Sequence, residues 1–511
     1  MIGPGSTLTR TWPDEPGTRA ALCEGRDDLL VEQREPDDAQ QAGTVAEWTQ
    51  QHGPFRSYRR RVHSDGDRLV ETTSFELQIP WFGWMYRPLI RGRMRRLDAR
   101  DRSPWWAPSD HLDARQVLVL GLVAALSMSS AFINTLFTQT VNFAADDFGT
   151  GDWGIGVGGS IVRAGILIAM PAAFIADRIG RRRVIAVVAW AAPIITALGA
   201  LAPNFGLLVA TQAIGRPLGL ALDFLIAVVA AEEMPRNSRA YAVSVMALAS
   251  GLGASLAIIA LPLADLGEGA WRLLYVLTLV WLVVAVDVVR RLPETVRFQT
   301  PHVVGAPLDR RRFAVLGGIA LLANIFVAPA SFFQNRYLED ARGFSATTIA
   351  AFTLVTATPA ALGLVVGGRI ADARGRRRLI AIALPLGTAL VAGSFAIGGP
   401  AMWGFMASGA VVGSLAYPAI SVYRSEIFPT GGRGRAAGLL TMMGLMGGIG
   451  GLLAAGGLLD AGWSYGQVMG LLALAQIGVF AIVVTSLPET AHRTLEELNP
   501  QDRIDQRPTV T

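Results

Sequence analysis

Asp177-Arg-Ile-Gly-Arg-Arg-Arg183 closes one apolar run of the chain, and Asp372-Ala-Arg-Gly-Arg-Arg-Arg378 closes another, 372 − 177 = 195 positions later. Two further pairs keep nearly the same spacing. Glu232-Glu-Met-Pro-Arg-Asn-Ser-Arg239 answers Glu426-Ile-Phe-Pro-Thr-Gly-Gly-Arg433, with prolines 429 − 235 = 194 apart. Arg291-Leu-Pro-Glu-Thr295 answers Ser486-Leu-Pro-Glu-Thr490, with prolines 488 − 293 = 195 apart. One such match is easily coincidence. Three in the same order at a near-constant offset mean a duplicated unit.

Between the motifs, apolar runs of roughly 20 residues follow one another from about Ala114 to Leu487, long enough to cross a ~30 Å hydrocarbon core as helices. The runs are continuous rather than alternating, which excludes a β-barrel. Composition agrees: 51% of the 511 residues are apolar, 17% are charged and mean hydropathy is +0.40. The spacing predicts spans over 114–140, 153–175, 184–203, 205–231, 240–264 and 271–290. A second six follow over 312–335, 345–370, 379–398, 401–423, 436–459 and 465–487. The expected fold is an all-α membrane protein of twelve transmembrane helices in two six-helix pseudo-repeats, preceded by a cytoplasmic N-terminal extension.

All 45 basic residues are arginines, and they cluster between helices rather than along one soluble face, so nucleic acid is not an expected partner. The runs at 181–183, 290–291, 310–312 and 376–378 fall in alternate loops, while the opposite loops carry Asp146, Asp147 and Asp152. The positive-inside rule then places both termini in the cytoplasm and the protein in the plasma (bacterial inner) membrane. The polar, acidic start carries no signal-peptide pattern. Cys23 is the sole cysteine, so neither an intramolecular disulfide nor a zinc cluster is available, and no metal is expected. No Walker loop or nucleophile elbow occurs, and the chain is not expected to be an enzyme or to need a cofactor beyond a proton gradient.

Residues 1–54 are polar and read as a disordered cytoplasmic tail. Residues 55–112 read as a small β-hairpin turning at Asp65-Gly66, then an interfacial amphipathic segment mixing Trp81, Trp84 and Tyr86 with arginines. Residues 113–291 form the first bundle, 292–311 a cytoplasmic loop, 312–488 the second bundle and 489–511 a cytoplasmic tail.

The paired motifs carry a resemblance. Asp-x-x-Gly-Arg-Arg-Arg after spans two and eight looks like the signature loop of the major facilitator superfamily. Glu-x-x-Pro-x-x-x-Arg after spans four and ten, and Pro488-Glu-Thr-Ala-His-Arg-Thr-Leu-Glu-Glu497, resemble its sugar-porter and metabolite–proton symporter branches. The resemblance covers about residues 114–498. It implies alternating access by a monomer, with substrate between the two halves. It also implies a cytoplasmic latch that holds the halves together while the outside is open. Its members here would be Asp177, Arg178, Gly180, Arg181, Glu232, Arg239, Asp372, Gly375, Arg376, Glu426 and Arg433. The first copy departs from the family pattern, with Ala173 where the second has Gly368.

Three charges fall deep inside predicted spans, away from their ends: Arg163, Arg216 and Asp223. A charge at mid-bilayer costs ~2.5–3.5 kcal/mol on the insertion scale, so each faces a cavity or a partner. Arg216-Pro-Leu-Gly219 resembles the family's fourth-helix Arg-x-x-Gly element. Asp223 is either the proton-coupling carboxylate or one half of a charge pair. The first span has no carboxylate before Asp146, unlike familiar proton–sugar symporters. Neutral polar groups expected to line the substrate cavity are Asn134, Gln139, Asn324, Gln334, Asn335, Tyr417 and Gln476.

The expected function is secondary active transport of a small polar organic solute (a sugar, polyol or organic acid), most simply by proton symport. An arginine left unpaired in the cavity favours an anion, and arginines paired internally favour a neutral solute. The alternatives are a drug or metabolite efflux antiporter, although span five lacks the Gly-Pro motif of such antiporters, and a non-transporting membrane sensor.

Overall fold

A computed structural model describes residues 6–36, 43–97, 103–104, 106–108, 110–165, 167, 175–176, 179–235, 238–294, 309–428 and 433–490. Two bodies are present, a small α/β domain and a helical bundle.

The N-terminal domain corrects the reading of residues 1–54 as a disordered tail. Strands β1 (Ser6–Pro13), β2 (Val31–Arg34), β3 (Thr44–His52), β4 (Phe55–Asp65) and β5 (Arg68–Leu77), with helix α1 (Pro16–Leu22), form an antiparallel sheet in the order β1-β5-β4-β3-β2. The expected hairpin is its centre: Asp65 pairs with Arg68 around Gly66, which has φ +62°. The polar composition of this stretch hid the fold because its core is partly ionic. Arg60, wholly buried, binds Glu32 at 2.6 Å and Glu71 at 3.5 Å, and Tyr58 Oη donates to Glu32 at 2.5 Å. Arg26 binds Asp28 at 3.0 Å, and Arg93 binds the same carboxylate at 2.7 Å. Burial alone would push the Asp28 carboxyl up, but the hydrogen bond and charge of Arg26 outweigh it and hold it below its ordinary value. Leu29, Leu30, Phe55, Tyr58 and Phe75 complete the interior.

Helix α2 (Gly83–Met94) buries Ile90 and Met94 against this sheet and leaves Trp84, Met85 and Leu89 exposed. The domain grips the bundle at several points. Tyr86 Oη lies 3.4 Å from Tyr241 Oη, and Trp81 Nε1 donates to Asp287 at 3.0 Å. Pro80 lies so close to Gly121 that a Cβ there would meet its Cδ at 2.5 Å.

In the bundle, every backbone polar group must be satisfied without water, which leaves helices as the form of each span. They are α3 (Ala114–Asp147), α4 (Asp152–Ala164), α5 (Arg181–Ala197), α6 (Phe205–Glu233), α7 (Arg239–Ile259) and α8 (Arg272–Arg291). The second half holds α9 (Arg310–Asp340), α10 (Ala346–Ala357), α11 (Ala360–Arg374), α12 (Arg376–Ser394), α13 (Gly399–Glu426), α14 (Arg433–Asp460) and α15 (Tyr465–Ser486), with α10 and α11 sharing the eighth span. Among the described residues, eleven helices are long and apolar enough to cross a membrane. The expected second span, 153–175, starts with α4, and most of its remainder lies outside the described residues. Large apolar side chains such as Leu201, Leu248 and Ile477 stand mostly exposed on the spans, as lipid-facing residues do.

Helix starts are sealed by side chains. Asp113 accepts from Gln116 N while Gln116 accepts from Asp113 N, and Ser464 and Gln467 repeat the arrangement. Small residues let helices touch: a Cβ on Gly447 would lie 1.9 Å from Leu321 O, and one on Gly451 2.2 Å from Ile325 O. In the first half, Gly253 gives α7 the same closeness to α3 at Met128.

Removing Arg60 strands Glu32 in the domain core. Arg60→Met should cost about 3–5 kcal/mol locally. Hydrogen exchange on the full chain should show faster amide exchange by at least two orders of magnitude in β3 and β4, with α3 unchanged.

Candidate substrate cavity and gate

Arg163 lies 11 residues into α4 and Arg216 lies 11 residues into α6, each about 16 Å along the helix from its outer end. That depth is close to the middle of a ~30 Å hydrocarbon core. Both guanidiniums approach the ring of Phe332 in α9, with Cζ 5.6 Å and 5.7 Å from its centroid. Such contacts are worth ~0.5–2 kcal/mol each. Among the described residues, no carboxylate pairs with either arginine. Arg163 Nε and Arg216 Nη1 are shut from solvent and have no hydrogen-bond partner among the described residues. They line a cavity of about 210 Å³ with Leu220 from the first half and Asn324, Leu440, Thr441 and Gly444 from the second. Gly448 makes room for Arg163, since a Cβ there would meet its Nη1 at 2.8 Å.

Asp223 lies elsewhere, on the α3 side of α6. Its carboxylate accepts from Ser130 Oγ at 2.7 Å, and Ser130 Oγ in turn accepts from Asn134 Nδ2 at 3.1 Å. No arginine pairs with it among the described residues, so the alternative of a charge pair with an arginine of a neighbouring helix is not formed there. The separation of seven residues keeps Asp223 and Arg216 two helical turns apart.

Of the seven candidate cavity residues, Asn324 alone lines the arginine cavity. Gln139 and Asn335 instead bind each other across the two halves, with Asn335 Nδ2 donating to Gln139 O at 2.8 Å and Oε1 at 3.0 Å. Gln334 donates to Thr353 within the second half. Gln476 is buried beside α12 near Pro385 and Ala389, and Tyr417 is 65% exposed. Amides in spans have helix neighbours as partners as readily as substrates, and residue type alone does not separate the two.

Among the described residues, polar contacts between the halves gather toward the helix ends opposite the arginine-rich loops. Arg336 of α9 pairs with Asp146 of α3, reaches Asp152 of α4 at 3.5 Å and is braced by Asp340 at 2.7 Å. Asn142 donates to Glu339. Asp265 caps α10, accepting from Ala346 N and Thr347 N at 2.8 Å each. Gly156 and Gly456 bring α4 and α14 together, since a Cβ on Gly156 would lie 2.6 Å from Leu452 O. These contacts close the bundle at the helix ends opposite the arginine-rich loops. Sequence reading missed Arg336. The signal was present, because an arginine at an outer helix end defies the positive-inside bias and needs a local reason.

Of the expected latch, Gly180, Arg181, Gly375 and Arg376 can be described. The side chains of Asp177, Arg178, Glu232, Arg239, Asp372, Glu426 and Arg433 lie outside the described residues. Gly180 and Gly375 take φ +102° and +98°, left-handed values that glycine adopts freely. Each turn is followed by a helix start that a distant glutamate caps. Glu294 accepts from Arg181 N at 3.1 Å and Arg182 N at 3.2 Å, and Glu489 accepts from Arg376 N and Arg377 N at 3.1 Å each. These glutamates belong to the two Leu-Pro-Glu-Thr motifs, and 489 − 294 repeats the offset of 195. Two of the three repeated motifs therefore meet within each half, a role for both glutamates that the sequence left unread.

Two packed helical bundles with a cavity between them and polar contacts gathered at one side are the architecture that alternating-access membrane transporters share. Residues 313–504 match the sequence model of the Major Facilitator Superfamily. The fold is shared with several solved structures. A bacterial homologue of the human lysosomal transporter Spinster, inward-facing and unoccupied, superposes with TM-score 0.56 at 19% identity, over 73% of this chain and 94% of that one. The xylose transporter XylE from E. coli, inward open, gives 0.59 at 16%, over 75% and 98%. A variant of the nucleoside transporter NupG gives 0.58 at 14%, over 71% and 99%. A search of curated proteins finds no matching relative. The second half of the chain thus matches the Major Facilitator Superfamily in sequence, and the fold as a whole is shared with these transporters.

Arg336→Gln leaves three acidic side chains facing one another at the gate. Electron–electron distance measurements between spin labels at Thr150→Cys and Ala341→Cys, in a Cys23→Ser background, should show a longer, broader distribution than in the otherwise native protein.

Proposed function

We propose that this transporter carries a small organic anion, with Arg163 and Arg216 as its binding pair and Asp223 as the carboxylate that couples transport to protons. The observation that carries the reading is the pair of cations that have no counter-charge among the described residues, in a cavity between the two halves. A guanidinium forms bidentate, charge-assisted hydrogen bonds with carboxylate, and two of them on one cavity suit an anionic group far better than a sugar hydroxyl. Asn324 and Thr441 offer neutral polar groups for the rest of the solute. Leu220 and Leu440 bound the space.

The coupling role of Asp223 is supported by its surroundings. It is a carboxylate within a span, no cation among the described residues holds it ionised, and Ser130 can serve its charged form as donor and its protonated form as acceptor. Taking up a proton there breaks no ion pair. The site lies outside the arginine cavity, so proton and substrate need not compete for one group. Alternating access would offer the cavity to one side while the Arg336 gate is closed and to the other once it opens.

The test is uptake into proteoliposomes under an imposed pH gradient, with labelled mono- and dicarboxylates beside sugars and polyols. A carboxylate should accumulate. Arg163→Gln and Arg216→Gln should each slow its uptake about 10–100-fold, the loss of one charged hydrogen-bonding group. Asp223→Asn should abolish gradient-driven accumulation while leaving exchange of labelled for unlabelled substrate. Transport of neutral sugars alone, indifferent to both arginine variants, would remove the anion reading.

A further inference from the structure

Trp81 has φ +63°, the one described residue other than glycine in the left-handed region. That conformation costs of order 1–2 kcal/mol and survives only where the surroundings fix it. Here Pro80 is wedged against Gly121 of α3, and the Trp81 indole donates to Asp287 of α8, which also pairs with Arg291. The bend opens a cleft of about 660 Å³ between α2 and the cytoplasmic end of α8. Its size lies within the ~300–1,000 Å³ of ordinary ligand pockets.

The cleft has two kinds of wall. Arg87 of α2 and Arg290 and Arg291 of α8 bring three positive charges against the single carboxylate of Asp287. Arg291 is used by Asp287, whereas Arg87 and Arg290 have no hydrogen bond or ion pair among the described residues. On the membrane side the wall is Val283, which is 59% exposed and lies eight residues, about 12 Å, before the end of the sixth span. Trp84 stands 74% exposed at the rim. Indole rings at this depth belong to the headgroup region. The cleft therefore runs from hydrocarbon to headgroup depth, apolar at one end and cationic at the other.

We propose that this cleft binds an anionic glycerophospholipid of the cytoplasmic leaflet, its phosphate between Arg87 and Arg290 and an acyl chain along Val283. A soluble anion would leave the valine wall and the exposed Trp84 uncovered. A zwitterionic lipid would bring its own cation to a site already in positive excess. The bound lipid would tie the N-terminal domain to the membrane at the point where its chain enters the bundle. The proposal rests on the cytoplasmic placement of the arginine-rich loops but not on what the cavity carries, so lipid binding is expected whether or not the anion reading holds.

The experiment uses the full chain in detergent, titrated with phosphatidylglycerol or phosphatidylcholine of equal acyl length and followed by native mass spectrometry. The native protein should retain one phosphatidylglycerol with at least about tenfold preference over phosphatidylcholine, in keeping with two arginines near an anionic headgroup. Arg87→Gln with Arg290→Gln should reduce the preference to within about twofold, and the double Lys variant should restore it. Monodisperse elution of each variant shows that the fold is kept. Equal binding of the two lipids by the native protein, or undiminished preference in the double Gln variant, would overturn the proposal. So would full displacement of the lipid by millimolar inorganic phosphate, which would make the site one for a soluble anion.

Discussion

A cation taken out of water without a counter-charge is among the most expensive things a protein can hold. Three other interior arginines of this molecule obey that constraint. Arg26 has Asp28, Arg60 has Glu32 and Glu71, and Arg336 has Asp146, Asp152 and Asp340. Arg163 and Arg216 do not. They share the face of one phenylalanine and a cavity that both halves line. The ring offsets part of the cost, and the proposed anionic ligand would offset the rest.

The rest of the bundle follows from placing that cavity on a moving seam. The outer gate is a set of contacts that can be made and broken together: one arginine against three aspartates, an amide pair, an aspartate capping a helix of the other half, and a glycine crossing where α4 meets α14. None of these is individually strong in a solvated setting. Collectively they can hold one access state against another that lies only a few kcal/mol away. At the cytoplasmic ends, the glutamates of the Leu-Pro-Glu-Thr motifs fasten each signature loop within its own half. Each half is thereby braced internally at its arginine-rich loop.

Much of this was legible in the chain. The duplicated motifs, the spacing of apolar runs and the alternation of arginine between loops were enough for the two-bundle fold, because bilayer physics leaves few alternatives. Arg163 and Arg216 stood out for the same reason, as charges where charges are costly. The polar neighbours were harder to read. Asn134, Gln139, Gln334, Asn335 and Gln476 look alike in sequence, and only packing decides which faces a cavity and which faces a helix. The N-terminal domain was misread because its interior is built from Arg26, Asp28, Glu32, Tyr58 and Arg60. Polar composition normally signals a solvated chain, and here it signals a buried ionic network. The gate arginine Arg336 was visible only as an exception to the charge rule.

The most direct test of the central claim is ligand-induced thermal stabilisation of the purified protein, comparing carboxylates with their uncharged amide isosteres. A counter-charge for Arg163 and Arg216 predicts that at least one small carboxylate raises the melting temperature in a saturable way while its amide does not, and that Arg216→Gln erases the difference. Equal stabilisation by acid and amide, or a carboxylate effect that persists in Arg216→Gln, would contradict it.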